Sequence, residues 1–127
     1  TFDAAKTLTQ PELPFFGDDP APCPLALSST ARPYRYVRVE NPGAAARTVT
    51  IETTGSTDTM MAYYLGAAPA PTPAARIACT GQFSDDVTGT NPSLTGVSIP
   101  AAGAITVYVG KYDSGAGTTT FRVTASN

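Results

Sequence analysis

"YRYVRVENPGAAARTVTIET" (residues 34–53) contains two runs of alternating residues separated by a stretch of turn-forming residues. In the first run Val37 and Val39 alternate with polar and aromatic residues, and in the second Val49 and Ile51 alternate with polar residues. Such alternation places apolar side chains on one face of an extended strand. The Asn, Pro and Gly between the runs allow the chain to reverse. The stretch therefore predicts strands of an antiparallel sheet with one buried face.

The same pattern continues through the rest of the chain. Helical spacing of apolar residues is absent, and Gly- or Pro-containing turns separate the runs. Together the runs predict an all-β fold, a single antiparallel β-sandwich or jelly roll of about seven to eight strands. The further predicted strands are TMMAYYL at 59–65, which is apolar on both faces, RIACT at 76–80, LTGVSIP at 94–100, AITVYVG at 104–110 and TTFRVTA at 119–125.

The N-terminal part differs from the rest in composition. Residues 1–27 are rich in proline and show no sustained period. The adjacent aromatic residues Phe15 and Phe16 are suited to anchor such a segment on an apolar surface. We therefore expect residues 1–27 to form an extended arm packed on a single sandwich domain, residues 28–127.

Composition excludes several classes of function. Eight Lys plus Arg against ten Asp plus Glu give a net charge of −2, which provides no field for holding a nucleic acid. The chain has no His, so Ser-His and Cys-His nucleophiles and histidine zinc sites are excluded. No apolar run is long enough to span a membrane. The sequence predicts a protein that is not an enzyme.

The two cysteines, Cys23 and Cys79, indicate the compartment. An even cysteine count in a small, charge-poor chain is typical of a disulfide formed outside the cytoplasm. We expect a Cys23–Cys79 disulfide and a secreted or cell-surface location. The alternative is two separate buried thiols.

Two acidic doublets are candidate calcium ligands. Each lies within a few residues of a cysteine, so a disulfide would bring four carboxylates towards one another. Their repulsion would favour a bound cation, and calcium takes several carboxylate oxygens. The alternative is that these aspartates only form turns through their own backbone. The four residues are Asp18, Asp19, Asp85 and Asp86.

Tyrosines are the best candidates for binding. Alternation places Tyr36 and Tyr108 opposite the valines of their strands, on a face that we expect to be solvated. Exposed tyrosines anchor many protein interfaces, and Tyr63 and Tyr112 are further candidates. The alternative is that these rings form cross-strand pairs that stabilise the sheet.

From residue 33 onward the order of these runs resembles the bacterial pre-peptidase C-terminal domain. The matching stretches are STDTMMAYYLG, ACTGQFSDD, IPAAGAITVYVGKY and SGAGTTTFRV. The chain departs from the family in the longer TGQFS gap, and in Ile105 and Thr106 where tyrosines are usual. The resemblance implies a non-catalytic secreted β-sandwich attached to extracellular enzymes or surface proteins. Some members of the family bind insoluble proteins such as collagen, and some bind calcium.

Together these features predict a non-catalytic extracellular accessory or binding module, possessing no membrane span. Its partner would be a protein or a polysaccharide, met through an outer sheet face, and a parent enzyme or surface protein would belong to the same chain. Two alternatives stay open. One is a structural building block of a surface or secretion assembly, and the other is a spacer domain stiffened by calcium.

Overall fold

The computed structural model describes residues 7–8, 14–15, 21–22, 26–27, 32–69, 74–75, 78–84, 87–112 and 117–126. For residues 7–8, 14–15, 21–22, 26–27, 32 and 82–83 this description concerns the backbone only. Within these ranges the strands are β1 (Thr7–Leu8), β2 (Pro14–Phe15), β3 (Ala21–Pro22), β4 (Ala26–Leu27), β5 (Arg32–Asn41), β6 (Arg47–Thr54), β7 (Thr59–Leu65), β8 (Gln82–Phe83), β9 (Ser93–Ile99), β10 (Gly103–Lys111) and β11 (Thr120–Ala125).

The long strands form two antiparallel sheets, which confirms the predicted all-β fold. Sheet A has the order β1-β5-β10-β7, and sheet B has the order β11-β6-β9. Two short pairs are also present, β2 with β4 and β3 with β8. No helix in the described part of the chain is long and apolar enough to cross a membrane.

Consecutive long strands alternate between the two sheets. β5, β7 and β10 belong to sheet A, whereas β6, β9 and β11 belong to sheet B. Every connection between successive long strands therefore crosses from one sheet to the other. This interleaving is typical of a jelly-roll sandwich.

The long strands number six in the described residues, fewer than the seven to eight that alternation predicts. The difference includes the run RIACT, whose described residues 78–80 form a turn and a bend. Ala74 and Ala75, just before this run, are helical, and the amide of Ala78 donates to the carbonyl of Ala74 at 3.3 Å. The chain therefore arrives at Cys79 from a turn, and a strand there was a wrong prediction.

The core lies between the sheets and follows the predicted faces. Val49 and Ile51 of β6 are buried, as are Ile105, Val107 and Val109 of β10. In β9 the buried residues Leu94 and Val97 are three apart, because the register with β6 shifts there and Gly96 takes a φ of +68°. A positive φ of this size suits glycine and is typical of a β-bulge.

Ser84 closes the sandwich on the flank of β7 and β9. Its amide and carbonyl each bond to the backbone of Met61 in sheet A at 2.8 Å. Its hydroxyl donates to the carbonyl of Ser93 in sheet B at 3.0 Å and accepts from the Ser93 amide at 2.9 Å. One buried residue therefore joins the two sheets on this flank, through its backbone on one side and its hydroxyl on the other.

Asn41 holds one end of the sandwich together. Its side chain is 3% exposed, and Nδ2 donates to the carbonyls of Ala45 at 2.8 Å, Ile99 at 3.2 Å and Pro100 at 3.0 Å. Its Oδ1 accepts from the amide of Gly43 at 3.1 Å. The last residue of β5 is thereby bonded to the end of β9 in the other sheet.

Candidate functional site

Three tyrosines form a cluster on the outer face of sheet A, and we call Tyr34, Tyr36 and Tyr108 the tyrosine cluster. Tyr36 and Tyr108 are directly opposite each other in the pairing of β5 with β10, and Tyr34 faces Gly110. The Tyr36 ring lies edge-on to Tyr34 at 5.6 Å and to Tyr108 at 5.8 Å, and the rings of Tyr34 and Tyr108 stack at 6.4 Å. Distances of this size are favourable between aromatic rings.

Glycine at position 110 leaves the space that Tyr108 occupies. The two residues lie on the same face of β10, and a Cβ at position 110 would contact the phenol oxygen of Tyr108 and lie 2.9 Å from its Cζ. Strand glycines are often covered by an aromatic ring in this way. The strand sequence YVG therefore fixes the position of the Tyr108 ring.

Burial of Tyr108 corrects one prediction. Alternation correctly places Tyr36 and Tyr108 on one face, but Tyr108 is 0% exposed rather than solvated. Met60 and Ala62, which share this outer face, are also 0% exposed. The outer face is therefore covered along β7 and β10, and Tyr108 can act on a partner only through the rings that it supports. Tyr34 and Tyr36 are half-buried.

A charged pair and a groove continue the outer face of β5. Arg38 and Glu40 form an ion pair, and their side chains are each 58% exposed. Beside them lies an open groove of about 440 Å³. Its other lining residues lie in or beside the connections that follow β5, β7 and β9. They are Asn41, Pro42, Ala67, Ala102, Gly103 and Ala104.

The other two predicted binding tyrosines lie elsewhere. Tyr63 has the opposite parity and packs against the core, where its hydroxyl would lie 3.1 Å from a Cβ at position 81. Burial raises the pKa of the Tyr63 phenol above its ordinary value, because desolvation disfavours the phenolate. Tyr112, at 43% exposure, follows β10, and its amide donates to the carbonyl of Asp58 at 3.0 Å. The four predicted tyrosines therefore do not form one surface.

The structure leaves the disulfide and calcium predictions untested. Cys79 is 7% exposed. Its predicted disulfide partner and the predicted calcium ligands lie outside the described residues. The residues concerned are Cys23, Asp18, Asp19, Asp85 and Asp86. Within the described residues, no group of three or more acidic or cysteine side chains could hold a metal ion.

The sequence analysis did not identify Tyr34 as part of the site, and it did not identify the hydrogen bonds by which the Asn41 side chain joins the two sheets. Tyr34 has the same parity as Tyr36, so the alternation of YRY could have included it. Asn41 reads as an ordinary turn residue, because the carbonyls of Ile99 and Pro100 that it binds are distant in sequence. Nothing in the local pattern marks it as buried.

Comparison of the chain with protein-family models, curated proteins and solved structures finds no match. The resemblance to the pre-peptidase C-terminal domain is therefore neither supported nor opposed by a relative, and it stays a hypothesis based on the sequence.

Proposed function

We propose that the protein is a non-catalytic binding module whose contact surface follows the outer face of β5. The surface consists of Tyr34, Tyr36, Arg38 and Glu40, together with the adjoining groove. The observation that carries the proposal is the buried ring of Tyr108, which packs against both half-buried tyrosines.

Tyrosine rings that are already packed favour binding, because their side chains lose little conformational entropy when a partner binds. Each of the two tyrosines contacts two other rings of the cluster. Ordering a free side chain at an interface costs about 0.5–1.5 kcal/mol, and packing before binding avoids most of that cost. The contact surface therefore offers apolar ring area beside one balanced ion pair. This combination suits an extended, uncharged stretch of a protein or a polysaccharide.

We assign the module to the cell exterior, as an accessory domain of a secreted or surface protein, and infer a Cys23–Cys79 disulfide. Two observations support this assignment besides the sequence resemblance. Cys79 is buried, and the backbone of Ala21–Pro22 pairs with that of Gln82–Phe83. The residue before Cys23 in the chain is thus paired with a residue three positions after Cys79.

The disulfide is tested by alkylation. We expect the denatured protein, without reductant, to take up no iodoacetamide at either cysteine, because both sulfurs would already be bonded to each other. After reduction, both cysteines should be alkylated, as measured by peptide mass spectrometry. Labelling of Cys79 before reduction would contradict the inference.

Binding is tested by co-sedimentation with insoluble polymers, namely fibrillar collagen, cellulose and chitin. We expect the protein to be retained on one of them, and Tyr34→Ala/Tyr36→Ala to weaken retention by about tenfold or more, since aromatic anchors dominate interface energy. Tyr112→Ala is the matched control, because Tyr112 is an exposed tyrosine that lies after β10 rather than on β5.

A second variant separates lost contacts from lost folding. Arg38→Glu changes an exposed residue of the contact surface and leaves the tyrosine cluster intact. We expect it to weaken retention while the circular dichroism spectrum stays unchanged. Retention on none of the three polymers, or equal loss in the Tyr112→Ala control, would count against this surface.

A further inference from the structure

Three of the four edges of sheets A and B carry features that hinder further pairing over part of their length. β5 is paired with β1 at Pro33, and β7 is bonded to Ser84. β9 is bonded at Ser93 by the Ser84 hydroxyl and is interrupted by the bulge at Gly96. Caps, prolines and bulges are the devices by which natural sheets avoid pairing with other chains.

The fourth edge, that of β11, has none of these devices. In the described part of the chain β11 pairs with β6 on one side only, and residues 122–126 are exposed. Its sequence TFRVTA contains no proline and no lysine. Its single charge, Arg122, lies 3.4 Å from Glu52 of β6 and so is balanced within the chain.

The register shows which backbone groups face outward. The amide of Ser126 donates to the carbonyl of Thr48 at 2.8 Å. Because residues of an antiparallel strand alternate in the direction of their hydrogen bonds, Thr124 and Arg122 also bond to β6. The amides and carbonyls of the intervening residues, Phe121, Val123 and Ala125, therefore point away from sheet B.

The side chains beside this edge leave apolar surface uncovered. Phe121 and Val39 are only partly buried against the core, and Val123 is 39% exposed. Between the two sheets at this flank lies an opening of about 360 Å³, lined among others by Val39, Val49, Ile99 and Val123. Ser84 closes the opposite flank, so the sandwich is open on the β5–β11 side.

We propose that the β11 edge pairs with β11 of a second copy of this chain, antiparallel and centred on Val123. This arrangement places each outward-facing residue opposite another one, Val123 opposite Val123 and Phe121 opposite Ala125. Each such pair exchanges two backbone hydrogen bonds. The edge is thus complementary to itself, as an interface around a two-fold axis requires, and the pairing extends sheet B through both copies.

The charges of β11 are compatible with a second copy as the occupant. In this register Arg122 lies opposite Thr124 of the other copy, so no two like charges face each other directly. Each Arg122 keeps Glu52 of its own chain. On the inner face, Phe121 lies opposite the small Ala125, which leaves room for the ring. The inference goes beyond the proposed binding function and does not depend on the β5 surface.

The test changes the charge opposite Arg122. Thr124 is exposed, and its side chain is not part of the core. We expect the native protein to self-associate reversibly in sedimentation equilibrium. Thr124→Lys should raise the dissociation constant by about tenfold, and Thr124→Glu should lower it, since each pair of charges across strands contributes about 0.2–1 kcal/mol and occurs twice in the dimer. Thr95→Lys and Thr95→Glu on the exposed part of β9 are matched controls and should have no effect.

Amide hydrogen exchange locates the interface. We expect exchange at Val123 to slow as protein concentration rises, while exchange at Thr95, an exposed residue of β9, does not change. A protein that stays monomeric at millimolar concentration would overturn the proposal. So would association that is equal in all four variants. Protection of Val123 at the lowest concentration would likewise overturn it, since the edge would then be occupied within one chain.

Discussion

Replacing Asn41 by aspartate is expected to lower the free energy of unfolding by about 3 kcal/mol or more at pH 7. The side chain is 3% exposed, and its Nδ2 donates to the carbonyls of Ala45, Ile99 and Pro100. Asn41→Asp keeps the shape but replaces the donor by an oxygen. A buried carboxylate would then face carbonyl oxygens with no proton between them.

The effect of Asn41→Asp should depend on pH. Burial among carbonyl oxygens raises the pKa of the introduced carboxyl in the folded state, because the charged form is disfavoured. The folded state then binds a proton more readily than the unfolded state, whose carboxyl titrates near pH 4, about the ordinary value. Stability relative to the native protein is therefore lost as pH rises above about 4 and is partly regained as pH falls towards it.

Urea unfolding between about pH 4 and 7 measures this difference. Asn41→Ala is the control, since it removes the same hydrogen bonds without adding a charge. We expect Asn41→Ala to cost about 2 kcal/mol and to show no added pH dependence. Equal losses of unfolding free energy in Asn41→Asp and Asn41→Ala at pH 7 would show that the side chain at position 41 is solvated and not buried among the carbonyl oxygens.

Replacing Gly110 by alanine is expected to lower the free energy of unfolding by about 1–3 kcal/mol, the range typical of overpacking. The added Cβ would contact the phenol oxygen of Tyr108 and lie 2.9 Å from its ring carbon Cζ. The ring is fully buried and packs against Tyr34 and Tyr36, so it cannot move without disturbing them. Urea or thermal unfolding measures the loss.

A double-mutant cycle identifies the cause. Tyr108→Phe removes the atom nearest to the added Cβ, so Gly110→Ala should cost less in the Tyr108→Phe background than in the native one. The single variant Tyr108→Phe provides the reference for the hydroxyl. An equal cost in both backgrounds would mean that the phenol oxygen of Tyr108 is not what requires glycine at position 110.

Alternation in the sequence predicted most of the strands and the face on which each side chain lies. It placed Val49, Ile51 and Val107 in the core, and it placed Tyr36 and Tyr108 on the face opposite the valines of their strands. These predictions succeed because side-chain direction in a strand depends only on the local backbone.

What covers each face could not be predicted in the same way. Alternation predicts that Tyr108 and Val107 lie on opposite faces of β10, but it does not predict that both faces are buried. The hydrogen bonds of the Asn41 side chain and the open edge of β11 likewise depend on which strands become neighbours. Those neighbours are distant in sequence, so no local pattern contains them.

The interleaved order of the strands has a consequence for how the protein folds. In the described part of the chain none of the six long strands pairs with the next long strand in sequence, so no hairpin of two long strands is available to begin folding. β10 is needed to join β5 to β7, and β6 pairs only with β9 and β11. Chains whose contacts are mostly distant in sequence fold slowly, in about milliseconds to seconds. During synthesis neither sheet can therefore be completed until β10 and β11, the last two strands of the chain, have left the ribosome.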